Sequence, residues 1–163
     1  AYHVAEAARQ APDRARRLCL RNLGRPARVA LVGCGKSKAA EARPAAELYT
    51  GPLFQAARRY AVATCDDWLI LSAKHGVVLP DDVIAPYELA LTSMRLDERA
   101  MWGRHAASAI AYRYREVSVC FIGLAGEPYL DAVDGRLDGV LERPLEGLQV
   151  GERLRWFNEQ RTA

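Results

Sequence analysis

The chain has 163 residues, half of them hydrophobic and 26% charged, with a formal net charge of +3; this fits one globular domain with its own core and excludes a low-complexity or disordered class. No apolar run approaches the roughly 20 residues needed to span a bilayer, and the four cysteines, Cys19, Cys34, Cys65 and Cys120, form no CxxC pair, which argues against a zinc site and for no metal or cofactor. The modest positive charge permits contact with phosphates without requiring it.

The N-terminal segment has arginines but no apolar h-region, so it is not expected to be a secretory signal, and a cytoplasmic protein with free thiols and no membrane partner is expected. The first residue is Ala1 rather than methionine, as in a trimmed or excised chain. Residues 1–27 are read as an arginine-rich helical segment and 28–163 as a single α/β domain. Pro12-Asp13 starts the first helix and Gly24 ends it; Arg9, Arg14, Arg16, Arg17, Arg21, Arg25 and Arg28 give it a solvated face. His3 falls in the terminal stretch.

Arg28 to Val32 reads as a buried strand, and residues 36–51 as a polar connection. Pro52 opens a helix over PLFQAARRYAVAT, with Leu53, Ala56, Ala57 and Tyr60 on one face. Trp68 to Leu71 is a second strand. The stretch VVLPDDVIAPYELAL, interrupted by Pro80 and Pro86, reads as an ordered loop. Leu96 to Arg115 is helical, with His105 structural or exposed on it; Val117 to Ile122 is a third strand; Pro128 to Val133 begins another helix. The tail turns at Gly147 and Gly151 and closes with a helix carrying Leu154, Trp156 and Phe157. Strands alternating with helices predict a three-layer α/β/α sandwich, Rossmann-like, around a mostly parallel sheet, with ligands beyond the carboxyl ends of the strands.

All three lysines fall in two short stretches, Lys36 and Lys38 in GCGKSK and Lys74 in SAKHG, while the other twenty basic residues are arginines. Both stretches follow predicted strands, which places them on one rim. GCGKS is not a P-loop, because the position five before Gly35 is Ala30; the dinucleotide fingerprint fails because Lys38 stands where a third glycine is needed. What remains is a tight turn, Gly33 to Gly35, whose backbone N–H groups suit an anion, with Lys36, Ser37 and Lys38 adding donors.

Cys34 has glycine on both sides, so a ligand can approach it, and lysines two and four residues on provide a cationic setting that favours a thiolate nucleophile; the alternative is a small buried residue. Cys19, Cys65 and Cys120 read as packing residues. Ser72, Lys74 and His75 crowd one turn and cannot all point the same way; Lys74 or His75 is the candidate acid–base group. Asp81 or Asp82 would supply a carboxylate if the following loop folds over the rim, and otherwise caps a turn. Tyr49, Tyr87 and Tyr129 are candidate stacking platforms for a base, and Gly126 lies in the glycine-containing loop after the third strand.

In combination, GCGKSK, ELYTGPLF, WLILSAKHGVVLPDDVIAPYELAL and RPLEGLQVGERLRWF resemble an uncharacterised bacterial and phage domain family over about residues 28 to 157. More distantly, the Cys-x-x-x-Lys loop and the SAKHG-to-PYELAL stretch are similar to the catalytic domain of archaeal archaeosine synthase, whose α/β fold looks like that of uracil-DNA glycosylases. That resemblance implies a nucleobase, nucleotide or nucleic-acid substrate and a base-handling site. The expectation is therefore an enzyme acting at the N-glycosidic bond or on the base, a glycosidase-like hydrolase or a transferase. Two alternatives stand beside it: a Cys34-dependent covalent transferase on a modified base, and a non-catalytic nucleotide or nucleic-acid binding module.

Overall fold

The computed structural model describes residues 13–161. The helix that opens it, α1 (Asp13–Arg21), has its start at Pro12 and residues 1–12, His3 included, outside the described residues. It packs on the core: Leu20 is 3% exposed there, and Arg16 reaches the Asp67 carboxylate at 3.6 Å. Cys19, expected to pack, is exposed on its outer side because the helix turns Leu20 inward instead.

The central sheet has five strands in the order β4-β3-β1-β6-β7. β1 (Ala27–Gly33) runs parallel to β3 (Asp67–Ser72) on one side and β6 (Val119–Gly123) on the other. β7 (Val140–Glu142) extends the parallel set at one edge, and β4 (Gly76–Val78) folds back antiparallel at the other. A separate antiparallel pair joins β2 (Arg43–Pro44) to β5 (Val83–Ile84). The short strands β2, β4, β5 and β7 escape the sequence reading because two or three residues carry no period; β4 and β5 lie in the proline-interrupted stretch taken as loop.

Helices cover both faces. Alternation along β1 sends Ala30 and Val32 to the face of α3 (Pro52–Thr64) and α6 (Val150–Gln160), and Val29 and Leu31 to the face of α4 (Leu96–Arg113) and α5 (Glu127–Val133). β3 repeats the division, with Trp68 and Ile70 on the first face and Leu69 and Leu71 on the second. The chain is thus a three-layer α/β/α sandwich with a mostly parallel sheet. The remaining helix, α2 (Ala45–Leu48), lies within the connection read as irregular. Gly151 does not turn the chain; it sits in the first turn of α6, which is started by Glu152 accepting the Gln149 N–H at 2.7 Å.

α4 and α5 approach closely because residue 103 is glycine: a Cβ there would overlap the Ala132 carbonyl. At the amino-terminal edge of the sheet Asp67, 2% exposed, accepts the Tyr114 hydroxyl at 2.9 Å and lies 3.7 Å from Arg113. Nearby, Arg25 makes two 2.8 Å hydrogen bonds to Asp66. Burial alone would raise the Asp66 carboxyl, but the Arg25 bonds and the Arg28 N–H outweigh it and hold it below the usual range. Among the described residues no helix is long and apolar enough to cross a membrane.

Candidate functional site

β1 is the strand at which the topology reverses. The chain leaves β1 toward α3 on one face of the sheet and leaves β6 toward α5 on the other, so a crevice opens beyond their carboxyl ends. Gly33 ends β1 there. A Cβ at this position would stand 3.1 Å from the Ala125 Cα, so glycine lets the two diverging loops touch.

The ladder continues one residue past the strand on each side. Cys34 donates its N–H to the Leu71 carbonyl and Leu124 donates to the Leu31 carbonyl, both at 2.9 Å. These bonds fix Cys34 at the crevice, half-buried, with its Sγ 3.2 Å from the Tyr129 hydroxyl. Cys34, Gly35 and Tyr129 border two cavities. One, of about 440 Å³, also has Lys36, Lys38, Glu88 and Ser93 in its walls. The other, of about 690 Å³, runs past Gly33 and Gly126 along Phe54, Leu124 and Leu148. Cys34 thus stands in the walls of a chamber with two lysines and of a mostly apolar one that also has Arg153 in its wall.

Burial pushes the Tyr129 phenol up, and the adjacent Cys34 sulfur adds to the shift. Tyr129 therefore faces Cys34 as a neutral O–H at physiological pH, able to donate to a thiolate and to return a proton.

The lysines divide the work. Lys36 is exposed at the cavity mouth, whereas Lys38 folds back to donate to the Gly35 and Lys36 carbonyls at 3.1 and 3.2 Å. The Lys38 ammonium also sits 4.5 Å from the Tyr87 ring centre. Its two bonds close the glycine turn, while its side chain also stands in the wall of the cavity. Ser37 is exposed, and its carbonyl accepts the Thr50 N–H, which closes the loop.

Tyr87 braces the rim. Its hydroxyl bonds the Ser72 Oγ and, at 2.8 Å, the Tyr49 hydroxyl, and the Ser72 Oγ also accepts the His75 N–H at 3.2 Å. Burial raises the phenols of both tyrosines, so the chain of hydroxyls stays neutral. Tyr49 and Tyr87 are 1% and 8% exposed, and Ser72 is fully buried. Tyr49 and Tyr87, read from sequence as stacking platforms, are packed with Ser72 beneath the rim, where their hydroxyls hold the SAKHG turn against the GCGKSK loop. Replacing Tyr87 with phenylalanine removes the hydroxyl that links Tyr49 to Ser72 and should cost about 1–3 kcal/mol in urea unfolding; an unchanged midpoint would contradict the bracing role.

Lys74 and His75 are exposed on the same rim, with the Lys74 ammonium 5.9 Å from the Tyr87 ring centre and the imidazole edge-on to that ring at 5.3 Å. Neither borders the Cys34 cavities. Asp81 and Asp82 are placed elsewhere altogether. β4 runs antiparallel to β3 and carries the chain back to the amino-terminal edge, where both acids border a hollow with Trp68 and Asp67. There Asp82 accepts the Leu79 N–H at 2.9 Å and caps its own turn. Glu88, next to Tyr87 in the same apolar-polar run, is the carboxylate that does reach the lysine cavity. Sequence reasoning passed over it because the paired aspartates were the stronger signal. Among the described residues no group of three His, Cys, Asp or Glu side chains is placed to hold a metal.

Comparison with known proteins bears on the whole domain. An uncharacterized protein of Bacillus subtilis (strain 168), YfjM, is 41% identical over 64 residues, a match that covers 36% of this chain and 43% of that protein. The chain thus spans less than half the length of that relative. The model of a family of unknown function, DUF6884, matches residues 29–159, from the first core strand through the last helix and including every residue of the crevice. The chain therefore belongs to the DUF6884 family.

Proposed function

We propose that this protein is a base-modifying enzyme for nucleosides, nucleotides or nucleic acids, and that Cys34 is its nucleophile. The observation that carries this reading is the Cys34 Sγ held 3.2 Å from the Tyr129 hydroxyl at the topological switch point, with Lys36 at the mouth of the same cavity. The distant resemblance to archaeosine synthase supplies the substrate class. Lys36 and the Gly33–Gly35 turn bind phosphate or ribose, and Gly126 leaves room beside the base.

In the reaction, Sγ adds to the carbon of a nitrile carried by the base. A C–S bond forms, the π pair moves to nitrogen, and that nitrogen takes the thiol proton by way of the Tyr129 hydroxyl. An amine or water then adds to the C=N carbon of this thioimidate, and the Cys34 thiolate leaves and regains a proton from the added amine or water, giving an amidine or an amide. Two chambers that both have Cys34 in their walls suit a donor on one side and an acceptor on the other.

A second reading, cleavage of an N-glycosidic bond, is favoured by Glu88 in the wall of the lysine cavity, where a carboxylate can activate water or steady an oxocarbenium ion. Incubation with nucleosides, nucleotides and modified bases separates the two by mass spectrometry. The cysteine reading expects a ligand-sized mass increase on the Cys34 peptide or a substituted base; released free base without any adduct supports Glu88 instead.

A further inference from the structure

On the flank of the molecule, away from the Cys34 crevice, a groove of about 650 Å³ is bordered by Arg43, Arg58 and Arg59, with Gln55, Glu47 and Tyr49 among the other walls. Arg43 comes from β2, while Gln55, Arg58 and Arg59 come from α3, whose thirteen residues include no acid. Gln55 and Arg59 are four residues apart and so share one helix face. Among the described residues none of the three guanidiniums makes an ion pair; Arg58 is steadied by donating to the Ala46 carbonyl at 2.7 Å. Among the described residues lining the groove Glu47 is the one acid against three arginines, which leaves an excess of positive charge.

α3 borders both sites: Leu53, Phe54 and Ala57 line the apolar chamber beside Cys34, and Gln55, Arg58 and Arg59 line the groove. Tyr49 forms part of its wall, and the Lys38 ammonium lies 5.6 Å from the centre of that same ring while bordering the Cys34 cavity. Phe54 packs on Tyr49 at 4.9 Å and borders the apolar chamber.

We propose that the Arg43–Arg58–Arg59 groove binds the sugar-phosphate backbone of a single-stranded nucleic acid, and that the substrate of this protein is a base within a polymer rather than a free nucleotide. Arginine suits this use because its planar fork pairs with phosphate oxygens in two-point fashion. The substrate assignment rests on the Cys34 reading; the backbone groove itself does not.

The test uses the full chain and labelled single-stranded RNA and DNA oligonucleotides of one sequence, with binding followed by fluorescence anisotropy between about 50 and 200 mM salt. Arg43→Gln/Arg58→Gln/Arg59→Gln should weaken binding at least tenfold and flatten the log–log salt slope by about 2, from about 0.7 per lost phosphate contact. A charge-matched control, Arg104→Gln/Arg136→Gln/Arg155→Gln, replaces exposed arginines elsewhere and should bind as the unmodified protein does. Preference for RNA or for DNA identifies the polymer. Equal losses in the two triple variants, no binding to either oligonucleotide, or tighter binding of heparin than of both would overturn the proposal. Cys34→Ser should leave oligonucleotide affinity intact, so failure of the cysteine chemistry and failure of the groove are read separately.

Discussion

Cys34→Ser is expected to lower turnover at least about thousandfold, the equivalent of about 4 kcal/mol of transition-state stabilisation. Serine preserves the size of the side chain and its hydrogen bond to Tyr129, but a hydroxyl in this position has no base strong enough to activate it: the nearest neutral partner is a phenol whose proton is held by burial. Tyr129→Phe should be milder, about a hundredfold, because the thiol remains while its proton relay is lost. The two residues act as a unit, so the double variant should be no slower than Cys34→Ser alone. Full activity in Cys34→Ser, with Glu88→Gln inactive, would transfer the chemistry to the glycosidic reading. Lys74→Ala and His75→Ala should both remain active, since neither side chain borders the cavities that have Cys34 in their walls.

The largest expected effect on stability lies at the opposite edge of the sheet. Asp67→Ala should cost about 3–5 kcal/mol, read as a fall in the urea midpoint. The carboxylate is almost fully enclosed and is shared by Tyr114, Arg113 and Arg16. Two nitrogens of the Arg113 guanidinium already lack a hydrogen-bond partner, so removing the carboxylate leaves this largely enclosed cation to the exposed Asp13, which accepts from its third nitrogen at 3.0 Å. Asp67→Asn keeps an acceptor for the Tyr114 hydroxyl and should lose less. Because this network is remote from Cys34, the folded Asp67→Asn protein should alkylate at Cys34 at the normal rate. A midpoint unaffected by Asp67→Ala would show that the arginines find water instead.

The long elements were legible because their signals are strong and local. β1 and β3 are continuous apolar runs, α3 begins at a proline, and α4 begins with Asp97 and Glu98 in its first turn. The rim location of GCGKSK followed from a strand that stops at glycine. Other features depend on tertiary pairing and left no local mark. β7 exists because β6 offers it an edge, and Asp81 and Asp82 were misplaced because β4 reverses the chain within three residues. Tyr49 and Tyr87 look from sequence like loop aromatics beside glycine and proline, yet each fills a buried position under Lys38. The pairing of Cys34 with Tyr129, 95 positions away, depends on the crossing from β1 to β6 and could not be read from either motif alone.

Cysteine alkylation tests the account most directly. Exposed Cys19 provides an internal reference in the same protein. With iodoacetamide and peptide mass spectrometry, a nucleotide or oligonucleotide that occupies the crevice should slow modification of Cys34 and leave the Cys19 rate unchanged. Modification of Cys34 at one constant rate across saturating nucleosides, nucleotides and both oligonucleotides would contradict the assignment of this crevice as the site.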